Sequence, residues 1–127
     1  MTEGKSILLA EDDRFLRRAC ETKLKQAGFD VRVAVDGEEA LTFAREKAPD
    51  LLLLDLLMPR RDGLSVLAEL RRDATTKAIP VVIMSNSSKD LARQKASTLG
   101  VVDYWIKSNL SLQELCDRVT KLLLDRN

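Results

Sequence analysis

The sequence contains no histidine and only two cysteines, Cys20 and Cys116, far apart and both within segments of helical pattern. Without histidine or a CxxC pair, neither a zinc site nor a cysteine–histidine nucleophile can be assembled. The two thiols read as small buried hydrophobes of a reduced, cytoplasmic protein. Charge bias is also missing: Lys+Arg number 21 against Asp+Glu 20, a net charge of +1. Such a balance gives no general pull toward nucleic acid or an anionic membrane, and neither is expected as a direct partner. No apolar run approaches the length of a bilayer span. The N-terminal Met1-Thr2-Glu3-Gly4-Lys5-Ser6 is followed by only a short apolar run, so no signal peptide is expected. Linkers, repeats and low-complexity segments are absent, and the chain ends directly after its last helical segment, so residues 1–127 read as one domain without an attached effector.

What is present is a strict alternation. The chain is 45% hydrophobic and 32% charged, enough apolar matter for a core that needs no disulfide or metal. Short apolar strands are predicted at Ser6–Ala10, Val31–Val35, Leu51–Asp55, Val81–Ser85 and Val101–Ile106. Between them lie helical stripes: Leu16, Cys20, Leu24 and Ala27, closed by Gly28; Ala40, Leu41, Ala44 and Ala48, stopped by Pro49; Leu64, Leu67 and Leu70; Leu91, Ala92, Ala96 and Leu99, closed by Gly100. The last stripe runs from Leu112 to Leu123 through Leu115, Cys116 and Val119. Asp36 with Glu39 and Ser111 with Glu114 have the spacing of capping boxes. Five βα units joined by short loops argue for an α/β fold, a doubly wound parallel sheet with helices on both faces.

The polar residues gather where strands end. Leu51 to Met58 is apolar throughout except for Asp55, and Pro59 ends the strand near that aspartate. A carboxylate in buried hydrocarbon costs several kcal/mol unless it is compensated. The other strands end at Glu11-Asp12-Asp13, at Ser85 before Asn86-Ser87-Ser88, and at Lys107. On one rim, with strands ~4.8 Å apart, Asp12 and Asp55 come within about 5 Å, a like-charge pair costing roughly 3 kcal/mol at an effective dielectric of ~20. Lys107 offsets one such charge. A hard divalent cation is the natural remedy for the remainder, and magnesium with a lysine suits phosphoryl transfer.

These residues, in this order and spacing, resemble the receiver domain of bacterial two-component response regulators, the chemotaxis receivers included. The matching features are Glu11-Asp12, Asp55 with Met58-Pro59 and Gly63, Ser85, and Tyr104 with Lys107. The resemblance covers essentially the whole chain and implies a flavodoxin-like (βα)5 fold with strand order 2-1-3-4-5. It implies that Asp55 is the phosphoacceptor, taking its phosphoryl group from a sensor histidine kinase, a phosphotransfer protein or a small acyl phosphate. Asp12, Asp55 and the backbone carbonyl of Leu57 would bind Mg2+ directly (Mn2+ substituting), and Glu11 through water. Asp13 would cap the following helix. Lys107 and Ser85 would hold phosphoryl oxygens, and Tyr104 would turn inward as a switch. The phosphoryl charge, about −1.5 to −2, would bias a face made of the fourth helix, fifth strand and fifth helix toward an unknown downstream protein.

Three departures from the family pattern stand out. Ser108 follows Lys107 where the family has a cis-proline, and a cis bond to a non-proline residue costs ~2.5–4 kcal/mol. Asn86 replaces a small residue beside Ser85. Leu57 and Ser87 occupy positions that influence hydrolysis, and a leucine cannot orient water, so self-dephosphorylation is expected to be slow. Arg60, Arg61 and Trp105 are candidate contact residues, and Asp103 with Arg118 a candidate dimer pair in a chain expected to be a monomer or weak dimer. A flavodoxin is disfavoured because Glu11-Asp12-Asp13 repels phosphate, and a haloacid-dehalogenase-type hydrolase because its second aspartate is replaced by Leu57. The serious rival is a non-phosphorylated pseudo-receiver acting as an interaction module, and it usually lacks one of the residues present here.

Overall fold

The computed structural model describes residues 4–86 and 90–125. Strands β1 (Ser6–Ala10), β2 (Asp30–Ala34), β3 (Leu51–Asp55), β4 (Val81–Ser85) and β5 (Asp103–Ile106) alternate with helices α1 (Arg14–Gln26), α2 (Gly37–Glu46), α3 (Gly63–Arg72), α4 (Asp90–Thr98) and α5 (Leu112–Asp125). A 3-10 turn, Lys107–Asn109, separates β5 from α5. All neighbouring strands pair in parallel, in the order β2-β1-β3-β4-β5. The expected flavodoxin-like doubly wound sheet is therefore the fold. Among the described residues no helix is long and apolar enough to cross a membrane.

The leucine run explains the layering. Side chains alternate across a strand, so Leu51 and Leu53 join the layer under α1 and α5, while Leu52 and Leu54 join the layer under α2, α3 and α4. All four are fully buried, and each contributes roughly 1.5–3 kcal/mol by leaving water. Cys20 and Cys116 are buried in the α1–α5 layer, as expected for small hydrophobes.

Local chemistry sets the boundaries. Asp13 caps α1, accepting hydrogen bonds from the N–H groups of Phe15 (2.9 Å) and Leu16 (3.1 Å). Gly28 takes a left-handed φ of 99° after α1, the conformation an αL helix stop requires. At α5 the capping box is reciprocal: the Glu114 N–H donates to Ser111 Oγ and the Ser111 N–H to Glu114 Oε1. At α2 the Glu39 N–H donates to Asp36, but Glu39 Oε1 accepts from the Val35 N–H, one residue before the cap.

Some expectations need correcting. Strand β2 starts and ends one residue early, and β5 begins only at Asp103. Leu91 is 65% exposed rather than inward. The inward stripe of α4 is Ala92, Ala96 and Leu99, spaced i, i+4, i+7. Leu91 precedes that stripe by one residue, about 100° around the helix, and faces water. Ser87 and Ser88 lie outside the described residues.

Gly63 opens α3 hard against the end of β3. Its N–H donates to Leu56 O at 2.8 Å, and a Cβ there would meet Leu56 Cα at 2.9 Å and crowd the Asp55 carbonyl. Gly63→Ala is expected to lower stability by roughly 1–3 kcal/mol. A thermal or urea melt checks this, and an unchanged midpoint would contradict the close approach.

Candidate functional site

The carboxyl ends of β1 and β3 and the end of β5 meet at one rim of the sheet. The β1–β3 register runs to Ala10 opposite Leu54, so the next residues along, Glu11 and Asp55, leave the sheet side by side. By the two-residue alternation, Asp55 continues the Leu51–Leu53 face and Lys107 continues that of Trp105, both in the α1–α5 layer. Ser85 and Tyr104 belong by the same count to the opposite face, where Ile83 and Tyr104 pack. The charged trio and the hydroxyl pair thus approach the rim from different sides.

The trio is tightly joined. Lys107 Nζ lies 2.6 Å from Glu11 Oε1 and 3.1 Å from Asp55 Oδ2. Glu11 is fully buried and Asp55 only 4% exposed. The other oxygen of Glu11 accepts from the Asp13 N–H at 3.1 Å, and Asp55 Oδ1 accepts from the Leu57 N–H at 3.2 Å. Arg17, on α1, donates to the carbonyls of Glu11 and Asp12 and holds the acidic loop from below. Asp12 points to solvent.

The electrostatics report a shortage of positive charge. Burial, then the hydrogen bond and charge of Glu11, push the Asp55 carboxyl up to about 7, against the smaller opposing pull of Lys107. Burial works against charge on Lys107 too, but Glu11 and Asp55 together outweigh it and lift its pKa above the ordinary lysine range. Carboxylate oxygens of Glu11, Asp12 and Asp55 all lie within 4.8 Å of one another. Three carboxylates this close together, with one ammonium beside two of them, offer the oxygen ligands that suit a hard divalent cation.

Ser85 is buried at the end of β4, and Tyr104 is buried beside it on β5, with the Arg93 guanidinium 5.3 Å over its ring. The Leu57 side chain is 68% exposed at the mouth of the site, and Asn86 is exposed as well. Among the described residues no peptide bond is cis. After Lys107 the chain instead takes the 3-10 turn, with the Leu110 N–H donating to Lys107 O at 3.2 Å. A bond to serine strongly favours trans, whereas a bond to proline tolerates cis at little cost, and Lys107 still reaches the acidic pair.

Other expectations change. Trp105 is 3% exposed, not a surface contact; its indole N–H donates to Asp103 Oδ2 at 2.9 Å and Arg118 lies 5.7 Å over its ring. Asp103 and Arg118 therefore both address Trp105 within the chain. Glu11, expected to reach a metal through water, is paired with Lys107 at 2.6 Å. Sequence reasoning missed Arg93, which sits on Tyr104, and expected Arg61 to be a contact residue, whereas it bonds Glu38 and Glu69 within the chain. Charged residues on helix faces carry no signal in one sequence of which neighbour they meet.

The family model for the response regulator receiver domain matches residues 7–120. The chain is 38% identical to the probable transcriptional regulator ycf27 of Cyanophora paradoxa over 94% of this chain and 48% of that one. It is 35% identical to the DNA-binding dual master transcriptional regulator RpaA of Synechocystis, over 92% and 48%. The Francisella response regulator 1452 receiver domain superposes with a TM-score of 0.86 at 31% identity, covering 98% of this chain and all of that one. The manganese-bound form of response regulator Rcp1 superposes at 0.79 and 31%, covering 93% and 91%. The chain spans about half the length of the transcriptional regulators it matches. The expectation that partners exclude nucleic acid is thereby corrected, since a matched relative is named as a DNA-binding regulator. The near-neutral charge of this stretch describes only its own surface. With the matched residues spanning β1 to α5 and the acidic cluster at the rim, the chain belongs to the response regulator receiver domain family.

Proposed function

We propose that Asp55 accepts a phosphoryl group from a phosphohistidine donor or a small acyl phosphate, in a reaction that depends on magnesium, and that the product switches the α4–β5–α5 face. The observation that supports this most is the Asp55 carboxylate itself: buried at the end of β3, with Lys107 Nζ 3.1 Å away and the Glu11 and Asp12 carboxylates within 4.8 Å. A carboxylate oxygen of Asp55 attacks phosphorus as the P–N bond to the donor imidazole breaks, its electron pair returning to the ring nitrogen. Asp12, Asp55 and the Leu57 carbonyl would hold the metal directly, and Glu11 would hold it through water. Bound there, magnesium supplies positive charge to the phosphoryl oxygens. Lys107 passes from the carboxylates to one phosphoryl oxygen and the Ser85 hydroxyl donates to another. Tyr104 follows Ser85 on the same face of the sheet, and Arg93, which also donates to Tyr104 O at 3.4 Å, carries that movement to α4. The relatives' names favour transcriptional control as the output, in a cytoplasmic protein.

Incubation with acetyl phosphate and magnesium should add one phosphoryl group by intact-protein mass spectrometry. Asp55→Asn should abolish the gain, and Lys107→Ala or Asp12→Ala should slow it at least roughly tenfold. No gain in the wild type would remove the proposal.

The same site sets the rate of loss. Leu57, exposed and apolar, offers no group to orient water on the acyl phosphate. Leu57→Asn should therefore hydrolyse several-fold faster than the wild type after acetyl phosphate is removed by desalting with magnesium kept present, and an equal rate would refute the role of Leu57.

Proton linkage gives a third outcome. In the metal-free protein Asp55 holds its proton up to about pH 7, above the ordinary carboxyl value of 3.8. The folded state binds more protons than the unfolded state between those values, so stability is fully present below pH 4 on this account and falls as pH rises to about 7. Asp55→Asn should remove that decline and raise the metal-free Tm at pH 8 by on the order of 5 °C. Parallel wild-type and variant Tm profiles from pH 5 to 8 would contradict it.

A further inference from the structure

The loop between β3 and α3 leaves Asp55, carries Leu57 and Met58, and returns at Gly63. Lys107 secures Asp55 from the inside of the site. From the solvent side the loop is secured by Arg61, whose Nε lies 2.8 Å from Glu38 Oε1 on α2 and whose Nη1 lies 2.9 Å from Glu69 Oε1 on α3. Glu69 is in turn held by Arg45 of α2 at 3.0 Å, and Arg45 by Asp73 at 3.3 Å. Hydrogen bonds from Arg61 and then Arg45 hold the Glu69 carboxyl below the ordinary range. The side chain of Arg61 therefore spans the gap between two helices while its backbone belongs to the loop.

The backbone is equally constrained. The Arg61 N–H donates to Pro59 O at 2.7 Å, and a Cβ on Gly37 would collide with the Arg61 carbonyl and Cβ, so the first turn of α2 presses directly on the loop. Arg60 sits at a φ of 69°, left-handed for a residue with a Cβ, and its Nε is 3.4 Å from Asp36, the cap of α2. A conformation of that kind persists only where its surroundings impose it. Exposed pairs of this sort add little to global stability; Arg61 and Glu69 are each 30% exposed and Glu38 55%. Their geometric effect is local and falls on the segment that presents Leu57 to Asp55.

We infer that Arg61 is a positioning residue for the phosphoacceptor site: it braces the β3–α3 loop against α2 and α3, so that the Leu57 N–H stays on Asp55 Oδ1 and the Leu57 backbone keeps its place beside the carboxylates that would hold the metal. This rests on the proposed assignment of Asp55 and Leu57. The brace touches neither substrate nor metal and acts through the backbone of residues 57–61.

The test uses the full chain with Arg61→Met, which keeps an unbranched apolar stem and removes the guanidinium with both ion pairs, and Arg61→Lys, which retains a cation for Glu69. Amide hydrogen exchange at Leu57 is followed by NMR in metal-free protein. Magnesium affinity is taken from a titration of amide shifts, and the rate of phosphorylation from acetyl phosphate at saturating magnesium. Arg61→Met should speed Leu57 exchange several-fold and raise the half-saturating magnesium by on the order of tenfold. Its rate at saturating magnesium should stay near wild type, and Arg61→Lys should recover part of both losses. Wild-type exchange at Leu57 and wild-type magnesium affinity in Arg61→Met would overturn the inference. If the wild type takes no phosphoryl group, the assignment of Asp55 fails, while Leu57 exchange still reports on the brace.

Discussion

One partly buried ammonium shared between two buried carboxylates is the interaction on which the rest of this structure depends. Lys107 reaches Glu11 and Asp55 at once, at 2.6 and 3.1 Å, and leaves the pair one positive charge short. A buried ion pair seldom contributes much to stability, since desolvation of both partners offsets the attraction. A third carboxylate, on Asp12, lies close by and adds to the local excess of negative charge. The raised proton affinity of Asp55 expresses the same deficit, and a proton, a divalent cation or a phosphoryl group with its cation are alternative ways of meeting it.

The sheet supplies the rigidity that such a site needs. Leu51 to Leu54 are buried on both faces and lock β3 between two helical layers, so Asp55 is carried to the rim on a strand with no freedom to shift. Alternation along the strands then sorts the chemistry. Glu11, Asp55 and Lys107 arrive on the α1–α5 side, and Ser85 and Tyr104 on the α4 side. Events at the carboxylates are thus separated by one strand thickness from the helix expected to move. Among the described side chains of that helix only Ala96 is fully buried, and Arg93 joins it to Tyr104 of β5.

The loops around the site show how substitutions within a family pattern are absorbed. Serine after Lys107 gives a trans 3-10 turn, yet the ammonium lands on the acidic pair, because the position of Lys107 is set by β5 and the charges it meets more than by the residue that follows. On the other side, a tight loop with one left-handed arginine is pressed against α2 by the absence of a side chain at Gly37. Both loops are shaped by what they lie against.

Much of this was legible in the residues alone. The alternation of strands and helices, the ends of β1, β3 and β4, the caps at Asp13 and Ser111, and the candidate cluster of Glu11, Asp12, Asp55 and Lys107 all follow from period, turn chemistry and the cost of a lone carboxylate among leucines. Strand order was available only through the resemblance, because local pattern carries no information about which strands are neighbours. What the tertiary structure decided concerns pairings across the chain: Glu11 buried on Lys107, Trp105 packed inward with Asp103 and Arg118, Leu91 turned to solvent, and Arg61 tied to Glu38 and Glu69. Hydrophobic period and capping act over a few residues and are written locally, whereas a charged side chain takes its partner from whichever helix the fold brings within 3 to 4 Å, and that choice exists only once the sheet is assembled.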